Sequence, residues 1–156
     1  MNDEREILNL LYRYCELQDA ADFAGVAELF RHSGYRVQDG DEHYGYDEVY
    51  ALKTKHDKVH DDGTLRTKHI THNTIVEFDD DGAVARTRSV FTVYQATPAL
   101  PLQCVITGRY HDIFEKVDGH WRFRDRLIIG DLVGDLTQHL RDNPLDQRLD
   151  DASEAR

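Results

Sequence analysis

The chain has 156 residues and a mass of 18.1 kDa, enough for one domain with a sizeable core but too short for two. Apolar residues make up 40% and charged residues 31%, a composition that excludes a disordered chain. The 19 basic and 30 acidic residues give a net charge of -11. DNA, RNA and anionic membranes are therefore unfavourable partners, because such a field repels polyanions.

The two cysteines, Cys15 and Cys104, are too few for a disulfide framework or a four-cysteine metal site. One lies in a predicted helix and the other in an apolar strand, so we expect both to be small buried hydrophobic residues. No stretch approaches the roughly 20 apolar residues that span a bilayer. The charged N-terminal residues lack the apolar core of a signal peptide, so we expect a cytoplasmic protein.

Helical periodicity dominates the first thirty residues. A first helix is predicted to begin near Asp3, on the apolar stripe of Ile7, Leu10, Leu11, Tyr14 and Leu17. Asp22 is the predicted N-cap of a second helix, and the two helices meet at a corner over Asp19–Ala21. Residues 34–45 predict a loop or a short strand. A third helix is expected over residues 46–58, with an inner side formed by Val49, Tyr50 and Lys53.

From Thr67 onward the apolar residues alternate, which predicts four long strands over residues 67–78, 84–97, 102–116 and 121–130. Asp-Gly turns join most of them, and Pro98 and Pro101 bracket the loop between the second and third. Helices followed by a strand meander predict an α+β fold, with the helices on one face of a curved antiparallel sheet. We expect a single domain over residues 1–140 and a loosely ordered tail over residues 141–156, which has few apolar residues.

Asp19 and His69 are the first candidates for chemistry. Asp19 ends the first helix among apolar neighbours, where an aspartate more often caps the next helix but can also serve with a histidine in proton transfer. His69 lies near the start of the first long strand, where alternation places Thr71 and Asn73 on its face. The chain has nine histidines, so a sheet histidine that only faces solvent or makes one hydrogen bond is an equally ordinary interpretation.

Other chemistries have weaker support in the sequence. His56 and His60 are four residues apart, but the glutamate of a His-Glu-x-x-His motif is missing, so a metal site is not favoured. The chain has no phosphate-binding glycine loop, Gly-x-Ser-x-Gly elbow or dinucleotide fingerprint. Five tyrosines are candidates either for the core or for an apolar pocket with a few hydroxyls: Tyr44, Tyr46, Tyr50, Tyr94 and Tyr110.

The order of elements and several motifs resemble the SnoaL-like branch of the nuclear transport factor 2-like superfamily, over roughly residues 4–140. The motifs are the opening helix Ile-Leu-Asn-Leu-Leu-Tyr-Arg-Tyr, the corner Leu17–Phe23, the strand His69-x-x-x-Asn73, the segment Gly108–Phe114 and the segment Asp118–Phe123. The resemblance implies a cone-shaped α+β barrel, in which a strongly curved sheet wraps around the helices and leaves a pocket at its open end.

Dehydratases of this family, such as scytalone dehydratase and bile-acid 7-alpha-dehydratase, use an Asp–His dyad. By motif position, Asp19 resembles the dyad aspartate, His69 the dyad histidine and Tyr14 the tyrosine of helix one in the bile-acid enzyme. The resemblance implies no metal and no organic cofactor. It also implies a homodimer or homotrimer, because members commonly pack through their sheet faces.

We therefore predict a cofactor-free lyase that dehydrates a small hydrophobic alicyclic or polycyclic molecule. Tyr50, Asn73, Tyr110 and Arg126 are the expected substrate-binding residues, with Asp112 as a secondary candidate. Arg126 has the opposite strand parity from Trp121 unless a bulge intervenes. Two alternatives stay open. One is a polyketide cyclase or ketosteroid-type isomerase, and the other is a non-catalytic subunit like the beta subunit of ring-hydroxylating dioxygenases.

Overall fold

Three helices pack inside a six-stranded, curved and unclosed sheet in the computed structural model, which describes residues 2–142. The helices are α1 (Asp3–Asp19), α2 (Phe23–Leu29) and α3 (Gly45–His56). The strands are β1 (Gly34–Val37), β2 (Glu42–Tyr44), β3 (Thr67–Phe78), β4 (Val84–Thr97), β5 (Leu100–Val117) and β6 (His120–Val133). The predicted α+β cone is confirmed. Most of the expected C-terminal tail lies outside the described residues.

The first two helices begin where the sequence predicts, and each has a side-chain cap. Asn2 caps α1 by accepting the Arg5 N–H at 2.7 Å, and Asp22 caps α2 by accepting the Gly25 N–H at 2.8 Å. The third helix ends at His56, because Asp57 is extended. Within residues 2–142, no helix is long and apolar enough to cross a membrane.

The inner side of α3 is narrower than the sequence predicts. Val49 and Lys53, four residues apart, are buried. Tyr50 keeps 42% of its surface exposed, because one residue further along a helix is a rotation of about 100°. The prediction that Tyr50 faces inward is wrong.

The sheet has the strand order β2-β1-β6-β5-β4-β3, with β1 parallel to β6 and every other pair antiparallel. The bounds of β3 and β4 match the prediction, whereas β5 and β6 are longer. Strand β5 includes Pro101, because Thr97 pairs with Leu100 around a tight turn at Pro98 and Ala99. The expected loop is therefore shorter than the two prolines suggest.

Bulges in the long strands decide which side chains face the helices, because each extra residue reverses the alternation. In β6 the register leaves Arg124 as an extra residue, so Trp121 and Arg126 are both buried. In β5 the extra residue is Val105, which is buried while Cys104 is exposed. The prediction that Cys104 is buried is therefore wrong, whereas Cys15 is buried as expected.

The core contains a fully buried ion pair between Arg126 of β6 and Asp112 of β5, with N–O distances of 2.7 and 2.8 Å. The guanidinium carbon of Arg126 lies 4.4 Å from the ring centre of Tyr14 and 4.0 Å from that of Tyr110. Such stacking suits a planar, weakly hydrated cation. The pair thus joins α1 to the middle of the sheet.

We expect Asp112→Ala to lower the free energy of unfolding by about 3–5 kcal/mol, because it leaves Arg126 buried without its counter-ion. Urea denaturation measures this loss. Asp131→Ala is the matched control, since Asp131 pairs with Arg109 at 2.9 Å between the same two strands but at the surface. Equal losses in the two variants would contradict a structural role for the buried pair.

Candidate functional site

A cavity of about 370 Å³ opens between the helices and the inner face of the sheet. Its walls combine aliphatic and aromatic side chains with a few polar groups, the usual make-up of a small-molecule site. The lining residues are Tyr14, Gln18, Tyr35, Val37, Gly40, Asp41, His43, Leu52, Lys53, His56, Asp57, His69, Phe91, Val93, Ile106, Tyr110, Ile128, Leu136, His139 and Leu140.

His69 lines this cavity, and Asp19, which is not among the lining residues, contacts His69 where the end of α1 meets the start of β3. Asp19 Oδ1 lies 2.6 Å from His69 Nδ1, and the same carboxylate accepts the backbone N–H of His69 at 3.0 and 3.1 Å. The Thr67 hydroxyl donates to Asp19 at 2.7 Å. Asp19 does not cap α2, because Asp22 does. The side chains of His69 and Asp19 are only 5% and 13% exposed.

These contacts determine how the imidazole can act. A carboxylate only accepts hydrogen bonds, so the nitrogen that faces it, Nδ1, carries the proton. Nε2 of His69 is then the basic nitrogen. Because the backbone and Thr67 hold Asp19 in place, the carboxylate in turn orients the ring of His69, as a base-orienting group does in other proton-transfer sites.

Two tyrosines, Tyr14 and Tyr35, line the cavity together with His69. The Tyr14 ring contacts the His69 ring edge-on, with 6.4 Å between centroids, and its hydroxyl oxygen lies 3.0 Å from that of Tyr35. Burial raises the pKa of Tyr14, so the hydroxyl is neutral and able to donate. Tyr35 was missed by the sequence analysis, which predicted only a loop or short strand there. The alternation in Gly-Tyr-Arg-Val was the available signal.

A buried lysine lines the cavity beside the tyrosines. Lys53 Nζ lies 3.6 Å from Asp57 Oδ2, which accepts a hydrogen bond from Gln18 Nε2 at 2.7 Å. Burial lowers the pKa of Lys53 and is the largest single effect, but the Asp57 carboxylate together with Tyr14 and Tyr35 raises the pKa above its ordinary value. The lysine is therefore an ammonium ion. Sequence analysis placed Lys53 on the inner side of α3 but gave it no role.

His139 adds a second imidazole to the cavity wall. It follows β6, and its ring centre lies 5.6 Å from that of His69. Burial, and then the neighbouring His69, lower the pKa of His139 from 6.5 to about 4. Its Nδ1 is buried and has no hydrogen-bond partner among residues 2–142. No motif in the sequence marks this residue, because its place depends on how the chain returns over α3 after the sheet.

Of the other predicted substrate-binding residues discussed next, one lines the cavity and two do not. Tyr110 lines the cavity, stacked on Phe91 at 4.5 Å. Arg126 lies behind the Tyr14 and Tyr110 rings, fully buried with Asp112, and is not among the lining residues. Asn73 is exposed and outside the lining, because its φ of 53° belongs to a β3 bulge that interrupts the alternation.

The other tyrosines contribute little to the site. Tyr44, Tyr50 and Tyr94 are 60%, 42% and 39% exposed, and Tyr50 stacks on Tyr46 outside the cavity. Among residues 2–142, no group of three or more histidine, cysteine, aspartate or glutamate side chains is arranged to hold a metal ion.

Comparison with known proteins agrees with this architecture. Among solved structures, a Mycobacterium tuberculosis protein of unknown function is 27% identical with a TM-score of 0.70, and the match covers 84% of this chain and 73% of that one. Aln2 from a Streptomyces species is 23% identical with a TM-score of 0.68 over 84% of this chain and 94% of that one. A Novosphingobium aromaticivorans protein, provisionally named a scytalone dehydratase, is 22% identical with a TM-score of 0.67 over 85% and 87%.

A comparison with the curated proteins finds no match. The model of the SnoaL-like domain matches residues 1–127, which is most of the chain and includes α1 to α3, both members of the Asp19–His69 pair and nearly all of the sheet. The chain therefore belongs to the SnoaL-like domain family.

Proposed function

We propose that this protein is a lyase that needs no cofactor and dehydrates a small hydrophobic alicyclic or polycyclic molecule, with Asp19 and His69 as its acid/base dyad. The proposal rests on the 2.6 Å contact between Asp19 Oδ1 and Nδ1 of His69, a residue that lines a mostly apolar cavity. An imidazole oriented by a carboxylate is a common general base. Membership of the SnoaL-like domain family supports the proposal that the substrate is a small molecule.

The proposed reaction is loss of water from a β-hydroxy ketone. Nε2 of His69 removes the proton next to the carbonyl, and Asp19 stabilises the imidazolium that forms. The electron pair of the broken C–H bond moves onto the carbonyl oxygen as an enolate. When the enolate collapses to a C=C bond, the C–O bond to the hydroxyl breaks and the imidazolium returns its proton to the leaving oxygen. Water departs and His69 is neutral again.

The tyrosine pair is suited to the oxygen that takes up charge. The hydroxyls of Tyr14 and Tyr35 lie 3.0 Å apart, so one can donate to the other and leave a hydrogen for the substrate carbonyl. The apolar walls, which include Leu52, Val93 and Ile128, exclude water and strengthen these hydrogen bonds. His139 stays neutral and does not compete with His69 for charge near neutral pH.

We expect His69→Gln and Asp19→Asn each to lower the rate of dehydration by about 100-fold or more, because the base or its orienting group is lost. The assay screens hydroxylated polycyclic ketones for loss of one water by mass spectrometry. His72→Gln is the matched control, since His72 lies on the same strand but bonds to Thr92 on the other face at 3.1 Å. Turnover that survives loss of His69 contradicts the dyad, and an isomerised product of unchanged mass favours the isomerase alternative.

We expect stability to fall as the pH drops from 6.5 to about 4, because His139 is protonated in the unfolded chain but stays neutral in the folded one over that interval. The contribution of neutral His139 to the free energy of unfolding is fully present above pH 6.5, and about 3 kcal/mol of it is lost at pH 4. His139→Phe removes this component. Urea denaturation of both proteins across this pH range measures it, and identical pH profiles would contradict a buried neutral imidazole.

We also propose that the protein is a homodimer or homotrimer that packs through the outer face of its sheet. Leu132 and Ile70 are 70% and 45% exposed, and they occupy the same cross-strand row through Thr92 and Thr107. Sedimentation velocity should show an oligomer that Leu132→Arg dissociates. A single species of 18.1 kDa would contradict the proposal.

A further inference from the structure

Lys53 is the cationic side chain of the cavity, and the proposed reaction does not use it. Its side chain is 9% exposed, yet it lies among the lining residues. Placing an ammonium in such a site is costly, and apolar residues would line a purely hydrophobic pocket at lower cost. A ligand for this cation is therefore worth seeking.

The ammonium is incompletely paired by the protein. An ammonium has three N–H donors, and its polar partners within residues 2–142 are the Asp57 carboxylate and the Tyr35 hydroxyl. The Asp57 contact, at 3.6 Å, is longer than a charge-assisted hydrogen bond, which spans about 2.7–2.9 Å. Asp57 Oδ2 is instead engaged by Gln18 at 2.7 Å. The carboxylate therefore keeps the lysine charged while leaving donor capacity for a ligand.

The lysine also lies within reach of the reacting end of the cavity. Lys53 Nζ is 5.0 Å from the ring centre of Tyr35 and 5.8 Å from that of Tyr14. The His69 ring contacts the same Tyr14 ring at 6.4 Å. Lys53 and His69 thus lie near the same Tyr14 ring and line the same cavity, so that one ligand can contact both.

We infer that Lys53 binds a negatively charged oxygen of the substrate, either a carboxylate already present on the molecule or the enolate oxygen formed during the reaction. This inference rests on the proposed function and narrows its substrate class to carbonyl compounds with an acidic or enolisable group. The other ionisable side chains that line the cavity, besides the tyrosines, are Asp41, His43, His56, Asp57, His69 and His139. Among the described residues that line the cavity, Lys53 is the only lysine or arginine.

The carboxylate source is tested by the binding of 2-naphthoate and its neutral analogue 2-naphthamide at pH 8, measured by isothermal titration calorimetry. We expect the wild-type protein to bind the naphthoate about tenfold more tightly, the effect of one charged hydrogen bond. The enolate source is tested by the absorbance spectrum of bound 2-naphthol at the same pH. A spectrum of the naphtholate anion shows that the site ionises an oxygen carried on the ring.

The variant Lys53→Met/Asp57→Asn removes both charges together, so that Asp57 is not left buried alone and the Gln18 hydrogen bond survives. It should bind the two naphthalene probes equally and leave 2-naphthol neutral, whereas Lys53→Arg should retain the effect. Lys55→Met is the control for the loss of a lysine, since Lys55 is an exposed residue of the same helix, α3. Thermal unfolding verifies that each variant is folded.

A naphthoate preference or a naphtholate spectrum that disappears in the double variant supports the inference and identifies which oxygen Lys53 binds. Neither effect in the wild-type protein, or an effect that survives in the folded double variant, overturns it. The probes do not react, so this outcome is independent of the dyad. If the anion effects hold while no ketone is dehydrated, the lyase proposal fails and the role of Lys53 stands.

Discussion

The Tyr14 ring is the point at which the helices and the sheet of this protein are joined. Its faces and edges contact Arg126 of β6, Tyr110 of β5 and His69 of β3, and its hydroxyl meets that of Tyr35 on β1. Most of the cavity wall is therefore positioned relative to one aromatic side chain of α1. The cation that stacks on this ring is itself bound to Asp112 and fully buried, so removing either partner would leave an unpaired charge in the core.

A second set of contacts, between Asp19 and His69, joins α1 to the sheet near the Tyr14 ring. The carboxylate of Asp19 accepts the backbone N–H and the side chain of His69, and so ties the end of α1 to the first strand of the meander. The same hydrogen bonds stabilise the fold and orient the imidazole. Structure and the proposed reaction thus depend on one set of contacts, and a variant of Asp19 must be tested for folding as well as for turnover.

The cavity combines two imidazoles with one ammonium ion, a set of groups that suits carbonyl chemistry. His69 and the neutral His139 lie near one another, and the ammonium of Lys53 lies beside Asp57 and near the Tyr14 ring. Apolar side chains form much of the remaining wall, so interactions within the cavity are weakly screened. A histidine and an ammonium ion that line one cavity can contact a single small molecule.

The order of the three helices and the four long strands, the α+β class, the start of α1 and the cap at Asp22 could be predicted from the sequence, because they follow from local periodicity and hydrogen bonding. It also marked Asp19, His69 and Tyr14, through family motifs whose spacing survives in the chain. The strand parity of several residues and the composition of the cavity are seen only in the tertiary structure. Bulges shift the parity of Arg126 and Asn73, and the cavity brings together Tyr35, Lys53 and His139, which are distant in sequence. Register and long-range packing have no local signature, since they depend on contacts that the folded chain alone creates.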